Sequence, residues 1–348
     1  MDPRSQLSDS STAAITAVIV CYDEEAKQIR AAVDSLLAQT RPPSEIIVVD
    51  NGPAGRLAAA VRGYSPALTP LECPENLGYV ALNRAALHAS GDYIVCLNPD
   101  ADAQPDCLEQ LAAVADSDPR VGLVGAQILL EDGVTRNAGA NPLHPTGISP
   151  SGGYGEPRES GQPRDVIIAS GACFLVRTKL YRELGGFVED FFLYYEDVDL
   201  SWRARIAGQR VVYCPWAVVS HSYEFGARPR KWFLLERNRL FSVLANYELR
   251  TLVLLAPLLL ATEAGLIVVA TRGGWITHKL RSYVALFRLR KRLKAHRLRV
   301  QASRRASDAQ LMAFFDDRLD SALIPASSAA LANFFCVPYM AVVRRFLR

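Results

Sequence analysis

The seven cysteines, at positions 21, 73, 96, 107, 173, 214 and 336, include no CxxC pair. That absence removes the usual ligand spacing of a structural zinc site, and an odd, scattered set argues against a disulfide framework. The thiols are therefore expected to be buried, in a protein of a reducing compartment. No GxGxxG follows the first apolar run, so a dinucleotide-dependent dehydrogenase has no support, and the missing GxxxxGK[ST] removes a P-loop ATPase. Residues 1–12 are polar and serine-rich without an apolar core, so no secretory signal is read there. One long stretch lacks acidic residues altogether: 272–305 carries 12 Lys/Arg and no Asp or Glu. The whole chain has 39 basic and 36 acidic residues, so the remainder holds 27 basic against 36 acidic, or −9. An acidic body with a basic tail predicts a tail that meets an anionic surface. Membrane lipid is favoured over nucleic acid, because no nucleic-acid-binding motif accompanies the basic run.

What is present is a large apolar core. Half of the 348 residues are hydrophobic, enough for one large domain with an appendage. Short β-branched runs at 14–20, 45–49 and 92–97, with another at 121–128, read as buried strands. Helical stretches alternate with them: 24–39, where Ile29, Val33, Leu36 and Leu37 recur at helical spacing, then 79–89, then one opened by Pro105. The pattern predicts an α/β fold with a mostly parallel central sheet and helices on both faces. In such sheets ligands bind beyond the carboxyl ends of the strands. Asp50-Asn51-Gly52 and Asn98-Pro99-Asp100-Ala101-Asp102 both fall at such ends, although each alone also reads as an ordinary turn or helix cap.

Residues 141–163 are crowded with Gly, Pro and Ser, and a loop of that length reads as a lid over an acceptor or as a plain flexible insertion. Next come a small-residue turn into a strand at 170–177, a break at Gly185-Gly186-Phe187 and an aromatic stretch ending in Glu196-Asp197-Val198-Asp199. By itself that acidic run is a helix start complementing the helix dipole. Carboxylates beside apolar surface are otherwise costly unless paired, metal-bound or used in chemistry. His221 closes a later strand, ahead of Tyr223-Glu224-Phe225-Gly226.

These segments together resemble family 2 glycosyltransferases, of the membrane-associated, rhamnosyltransferase-like bacterial type. The likeness is carried by Ala17–Tyr22, Ser35–Thr40, Glu45–Gly52, Asn76-Leu77-Gly78-Tyr79 with Asn83, Gly91–Ile94 running into Leu97–Asp100, and the Gly171–Arg177 and Gly185–Asp199 stretches. It departs from the family at Asp23, at Leu82 and after Gly52. The resemblance implies a GT-A fold and a nucleotide-diphospho-sugar donor, with Tyr22, Asp50, Asn76, Gly78, Asn83 and Asn98 on the donor side. It makes Asn98-Pro99-Asp100 the counterpart of a DxD motif, so Asp100 and His221 are expected to hold a divalent cation. Mn²⁺ or Mg²⁺ fits, with Mn²⁺ preferred for the nitrogen donor. Asp197 is expected to be the general base, with Glu196 beside it in catalysis and Glu196 and Asp199 on the acceptor side. No QxxRW occurs, which favours non-processive transfer. The expected activity is inverting, metal-dependent transfer to an acceptor hydroxyl, a lipid-linked saccharide of cell-envelope polysaccharide synthesis. A non-catalytic sugar-nucleotide-binding scaffold and a sugar nucleotidyltransferase are the alternatives.

The expected organisation is a disordered 1–13, a nucleotide-sugar domain over 14–248 and a helical, basic appendage over 249–348. Residues 252–271 are long and apolar enough to cross a bilayer, but Pro257 and Glu263 interrupt them and the basic run follows at once. The positive-inside rule then disfavours an outward crossing. A segment lying in the interface, or a re-entrant hairpin bent at Pro257, is expected on the cytoplasmic face of the membrane, with 272–305 on anionic lipid. A second apolar stretch, 323–343, contains Pro325, Asn333 and Pro338 and is given the same interfacial reading.

Overall fold

The structure, a computed structural model, describes residues 13–52, 56–221, 229–320 and 326–347. The N-terminal segment 1–12, Tyr223–Gly226 and Pro325, each singled out in the sequence, lie outside the described residues. The chain divides into two compact units. The first comprises Met1–Asn141, Ser151–Ala204 and Gln209–Glu224, and the second Pro142–Pro150, Arg205–Gly208 and Phe225–Arg348.

In the first unit the strands are β1 (Ile15–Cys21), β2 (Glu45–Asp50), β3 (Leu68–Glu72), β4 (Tyr93–Leu97), β5 (Ala101–Ala103), β6 (Val121–Leu129), β7 (Arg136–Ala138), β8 (Ala140–Asn141), β9 (Arg164–Asp165), β10 (Ile168–Ala169), β11 (Cys173–Arg177) and β12 (Arg210–His221). Its helices are α1 (Ala26–Leu37), α2 (Arg56–Val61), α3 (Leu82–His88), α4 (Cys107–Ser117) and α5 (Thr178–Glu183). Helix α6 (Glu196–Ile206) begins here as well. The main sheet runs in the order β3-β2-β1-β4-β11-β6-β12-β5. β1, β4 and β6 are buried along their whole length, as unbroken apolar strands covered on both faces must be.

The sheet is mostly parallel, with six of the eight strands on its main path running one way, and it carries antiparallel members. β1 pairs parallel with β2 and β4, and β6 parallel with β12, but β11 lies antiparallel between β4 and β6. Strand direction is set by the connection that delivers the chain, here the 141–170 excursion, and not by the strand's composition. The 79–89 helix is also resolved more finely, as a 3₁₀ turn at Gly78–Ala81 followed by α3. Strand ends cluster usefully. Asp50 ends β2, Asn98 follows β4, and His221 ends β12 opposite Ala101 of β5.

Segment 151–160 is no open loop: Arg136 bonds the Pro157 carbonyl at 3.0 Å and the Glu159 carboxylate at 3.1 Å. The part at 142–150 belongs to the second unit, where Tyr247 donates to the Pro145 carbonyl at 2.8 Å and Arg239 to the Thr146 carbonyl at 2.9 Å. Both parts of the stretch read as a lid or a flexible insertion are therefore tied down by side-chain bonds.

The second unit is helical: α7 (Pro229–Asn246), α8 (Leu249–Arg272), α9 (Ile276–Arg288), α10 (Arg290–Ala302), α11 (Asp308–Leu311) and α12 (Ala326–Leu347). Helix α7 clusters with these C-terminal helices rather than with the sheet. Helix α8 is continuous through Pro257, so the expected hairpin at that proline is not formed. All seven cysteines are free and buried, as their apolar neighbourhoods predict.

Candidate active site

The first carboxylate group sits where β2 ends. Asp50 is 1% exposed and accepts from the backbone N–H of Gly52 at 2.8 Å and of Leu57 at 2.9 Å. Its neighbour Asn51 donates to the Gly78 carbonyl at 2.8 Å and accepts from Leu77 N–H, while Asn76 Oδ1 accepts from Gly78 N–H at 2.8 Å. Asn51, Asn76 and Gly78 thus form one linked loop beside Asp50, and Tyr22 at the end of β1 is exposed next to it. Gly78 has φ +69°, and a Cβ there would collide with the Phe192 carbonyl, so only glycine fits.

Asn83, expected on the donor side, is placed differently. Its amide nitrogen donates to the Phe187 carbonyl at 2.9 Å, and its oxygen accepts from Phe187 N–H at 2.8 Å and Tyr181 O–H at 2.6 Å. It holds the glycine turn at 185–187 in shape.

The second group lies past β4. Asp100 Oδ1 is 3.0 Å from His221 Nε2, which is also 3.1 Å from the Asn98 amide nitrogen. His221 is buried and Asp100 half-buried. Burial works to raise the Asp100 pKa, but the hydrogen bond and charge of His221 outweigh it and hold the carboxyl below its ordinary range. Among the described residues, no group of three or more His, Cys, Asp or Glu side chains forms a metal cluster.

The third group is the N-terminus of α6. Asp197 accepts from Gly171 N–H at 2.7 Å and from Val198 N–H at 2.8 Å. Burial raises its pKa, and these two N–H donors only partly offset that. Glu196 is 6% exposed, and its Oε2 has no hydrogen-bond partner among the described residues. Burial first, and then the charge of Asp197, push the Glu196 carboxyl well above its ordinary range. Asp199, expected on the acceptor side, is instead fully buried and bonded to Arg203 at 2.6 Å. Arg203 in turn donates to the carbonyls of Leu184 at 2.8 Å and Gly186 at 2.7 Å. Its reach is inward because α6 turns that face to the core, which spacing alone does not reveal.

One dipeptide joins the second and third groups. Gly171 N–H holds Asp197, while the carbonyl of Ala172 accepts from Asn98 N–H at 3.0 Å. The Tyr79 hydroxyl donates to the Gly171 carbonyl at 2.7 Å, tying the loop that holds Asn76 and Gly78 to the same point. Sequence reasoning gave neither Tyr79 nor Gly171 a role in the site, although the small-residue turn at 170–172 was the available signal. It also missed the backbone of the aromatic stretch: Phe192, Tyr194 and Tyr195 all have positive φ, at 66°, 69° and 76°. Bulky residues avoid that region, and such strain concentrates at functional sites.

The sequence profile of glycosyl transferase family 2 matches residues 16–185. The chain is 32% identical over 207 residues to the O-antigen biosynthesis protein RfbC of Myxococcus xanthus, covering 56% of this chain but only 16% of that protein. It is also 32% identical over 214 residues to N-acetylglucosaminyl-diphospho-decaprenol L-rhamnosyltransferase of Mycobacterium tuberculosis, covering 54% of this chain and 69% of that protein. Among solved structures, GalNAc-T7 with UDP, GalNAc and Mn²⁺ aligns with TM-score 0.55 and 15% identity over 68% of this chain and 48% of that one. The mannosyltransferase PcManGT of Pyrobaculum calidifontis, in complex with GDP-Man and Mn²⁺, aligns with TM-score 0.50 and 18% identity over 97% of this chain and 86% of that one. At those identities the structural likeness carries the fold, which is GT-A.

Proposed function

Because this chain belongs to glycosyl transferase family 2 and is a glycosyltransferase, we propose that it transfers a deoxyhexose such as rhamnose, by inversion, from a nucleotide-diphospho-sugar to a lipid-diphosphate-linked saccharide. The observation that carries the reading is the Gly171-Ala172 bridge. It sets a carboxylate of raised basicity, Asp197, in fixed relation to the Asn98, Asp100 and His221 group.

The residues present fit a divalent cation. One ring nitrogen of His221 can donate to Asp100 or accept from the Asn98 amide, but not both. A carboxylate oxygen and an imidazole nitrogen turned on each other in this way form a donor pair that a Mn²⁺ or Mg²⁺ ion satisfies, with diphosphate oxygens completing the set. Such an ion, when bound, supplies Lewis-acid neutralisation of the leaving diphosphate.

The protein's own part follows. Asp50 and the loop through Asn51, Asn76 and Gly78 form the wall for the nucleoside. Asp197 removes the proton from the acceptor hydroxyl as its oxygen bonds to the anomeric carbon. The bond from that carbon to the diphosphate oxygen breaks, and the electron pair leaves with the nucleoside diphosphate. Glu196, buried beside Asp197 where burial and the Asp197 charge favour its neutral form, keeps a second negative charge away from the base. The exposed apolar and basic surface of α8 to α10 docks the enzyme on anionic lipid at the cytoplasmic membrane face, where a lipid-linked acceptor resides.

The test is direct. Purified protein with Mn²⁺, a panel of nucleotide sugars and a prenyl-diphosphate-linked saccharide should release nucleoside diphosphate. Asp197→Asn should abolish turnover while donor binding persists. Release of pyrophosphate would identify a nucleotidyltransferase, and full activity in Asp197→Asn would remove the assigned base.

A further inference from the structure

Helix α8 is 24 residues long, about 36 Å at a rise of about 1.5 Å per residue, enough to cross a hydrocarbon core of about 30 Å. Its length and composition therefore permit a membrane span. Its side-chain bonds do not. Glu263, in the second half of the helix, accepts from Lys279 of α9 at 2.7 Å and from Tyr283 at 2.6 Å, and it also pairs with Arg239 of α7. Arg239 bonds Glu236 at 2.8 Å, and Lys279 pairs with Glu236 too. Two carboxylates and two cations thus close a neutral cluster, in which Arg239 is 3% and Lys279 0% exposed.

We propose that α8 lies in the plane of an anionic lipid surface, immersed along one side, and does not cross it. This rests on the membrane-docking part of the reading above and is separable from the chemistry. Crossing would require one of two things. Glu263 could leave the cluster, abandoning two buried cations to one carboxylate, which is strongly destabilising because it leaves buried charge uncompensated. Otherwise α7, with Glu236, Arg237, Asn238 and Arg239 in consecutive positions, would follow α8 to the middle of the bilayer, where each central charge is costly.

The surface matches the in-plane alternative. Val253, Leu260 and Ile267 are exposed on α8, and their spacing of seven keeps them on one stripe; Thr251, Leu255 and Leu258 are buried on another in its first half, while Val268 and Val269 widen the exposed face near its C-terminal end. Leu280, Val284 and Phe287 form an exposed stripe on α9, with the exposed Arg281 and Arg288 along one edge of it. Helix α10 adds exposed Arg290, Lys291, Arg292 and Lys294. Apolar stripes bordered by cations, with no acidic residue across 272–305, select an anionic bilayer as the occupant.

The experiment uses the full chain and vesicles of phosphatidylcholine with or without phosphatidylglycerol. Flotation should occur with the anionic vesicles and weaken at least tenfold without phosphatidylglycerol. Single replacements Val253→Cys, Leu260→Cys and Ile267→Cys are then labelled with a fluorophore, the seven native thiols being buried. Quenching by lipids carrying spin labels at graded acyl depths should place all three at one shallow depth, about 5–10 Å below the headgroups. Phe287→Cys on α9 is an independent reporter and should read shallow too. A crossing helix would stagger the first three over about 21 Å, and that result overturns the proposal. Failure to float with either vesicle overturns it by removing the docking itself, while leaving nucleoside diphosphate release as a separate test of the enzyme.

Discussion

Replacing Gly171 by alanine isolates the geometry of Asp197, the proposed base, from everything else in the site. A Cβ at this position would lie 3.1 Å from Asp197 Oδ2, 3.2 Å from its Cβ and 3.3 Å from its Cγ. Each contact is a few tenths of an ångström too short, so the carboxylate must move by roughly 0.3–0.5 Å. Misplacement of a reacting group by about 1 Å costs about a hundredfold in rate, so this shift alone predicts about a four- to tenfold loss. Some weakening of the charge-assisted bond from Gly171 N–H, worth about 1.5–3 kcal/mol when intact, takes the expected loss to roughly ten- to fiftyfold. Stability should change little, because glycine-to-alanine replacement also restricts the unfolded chain and contributes about 0.4–1 kcal/mol in the other direction. The assay is nucleoside diphosphate release at saturating donor, with donor affinity and thermal melting measured on the same preparation. A fall in kcat with donor affinity and melting temperature preserved is the expected result. Unchanged kcat in Gly171→Ala, alongside an inactive Asp197→Asn, would refute the claim that this glycine sets the base. Unchanged kcat in both would refute the base itself.

Gly78→Ala should lose at least a hundredfold in activity and melt several degrees lower, because a Cβ there strikes the Phe192 carbonyl and the residue must hold φ +69°; wild-type melting would refute it. Acid should unfold the second unit in two windows, read by circular dichroism at fixed urea. Burial depresses the His144 pKa to about 4 from 6.5, so the neutral form is favoured in the fold. Its contribution is intact above about 6.5 and lost as pH falls to about 4, at about 3 kcal/mol for about 2.5 units. Glu263, which burial alone would push upward, is held at about 2 by Arg239, Lys279 and Tyr283, so its contribution fades between 4.5 and about 2. His144→Asn should flatten the upper window only, and an unchanged slope there would show that another group titrates.

Much of the nucleotide-sugar unit was legible because its information is local. Unbroken runs such as Val18–Val20 and Ile46–Val49 can only be strands buried on both faces, and Asp50, Asn98 and Asp100 sit at strand ends by counting residues. The acidic run at 196–199 could likewise be read as a helix start. Which way each carboxylate points was not legible. Asp197 faces Gly171 while Asp199, two residues on, is buried against Arg203, since a helix turns about 100° per residue and only packing decides which side is inside.

Glu263 shows the same division in the appendage. In the sequence it was an interruption of an apolar helix, open to an interfacial helix, a hairpin or a span. Its partners are Arg239, 24 residues before, and Lys279, 16 residues after, in separate helices. By itself the sequence determined the family, the strand-end carboxylates and the uneven charge, because periodicity, motif and composition are properties of neighbouring residues. The tertiary structure alone decided the antiparallel insertion of β11, the Gly171-Ala172 bridge and the pairing of Glu263. Those depend on contacts between residues far apart in the chain, and the chemistry of each residue leaves its partner unspecified.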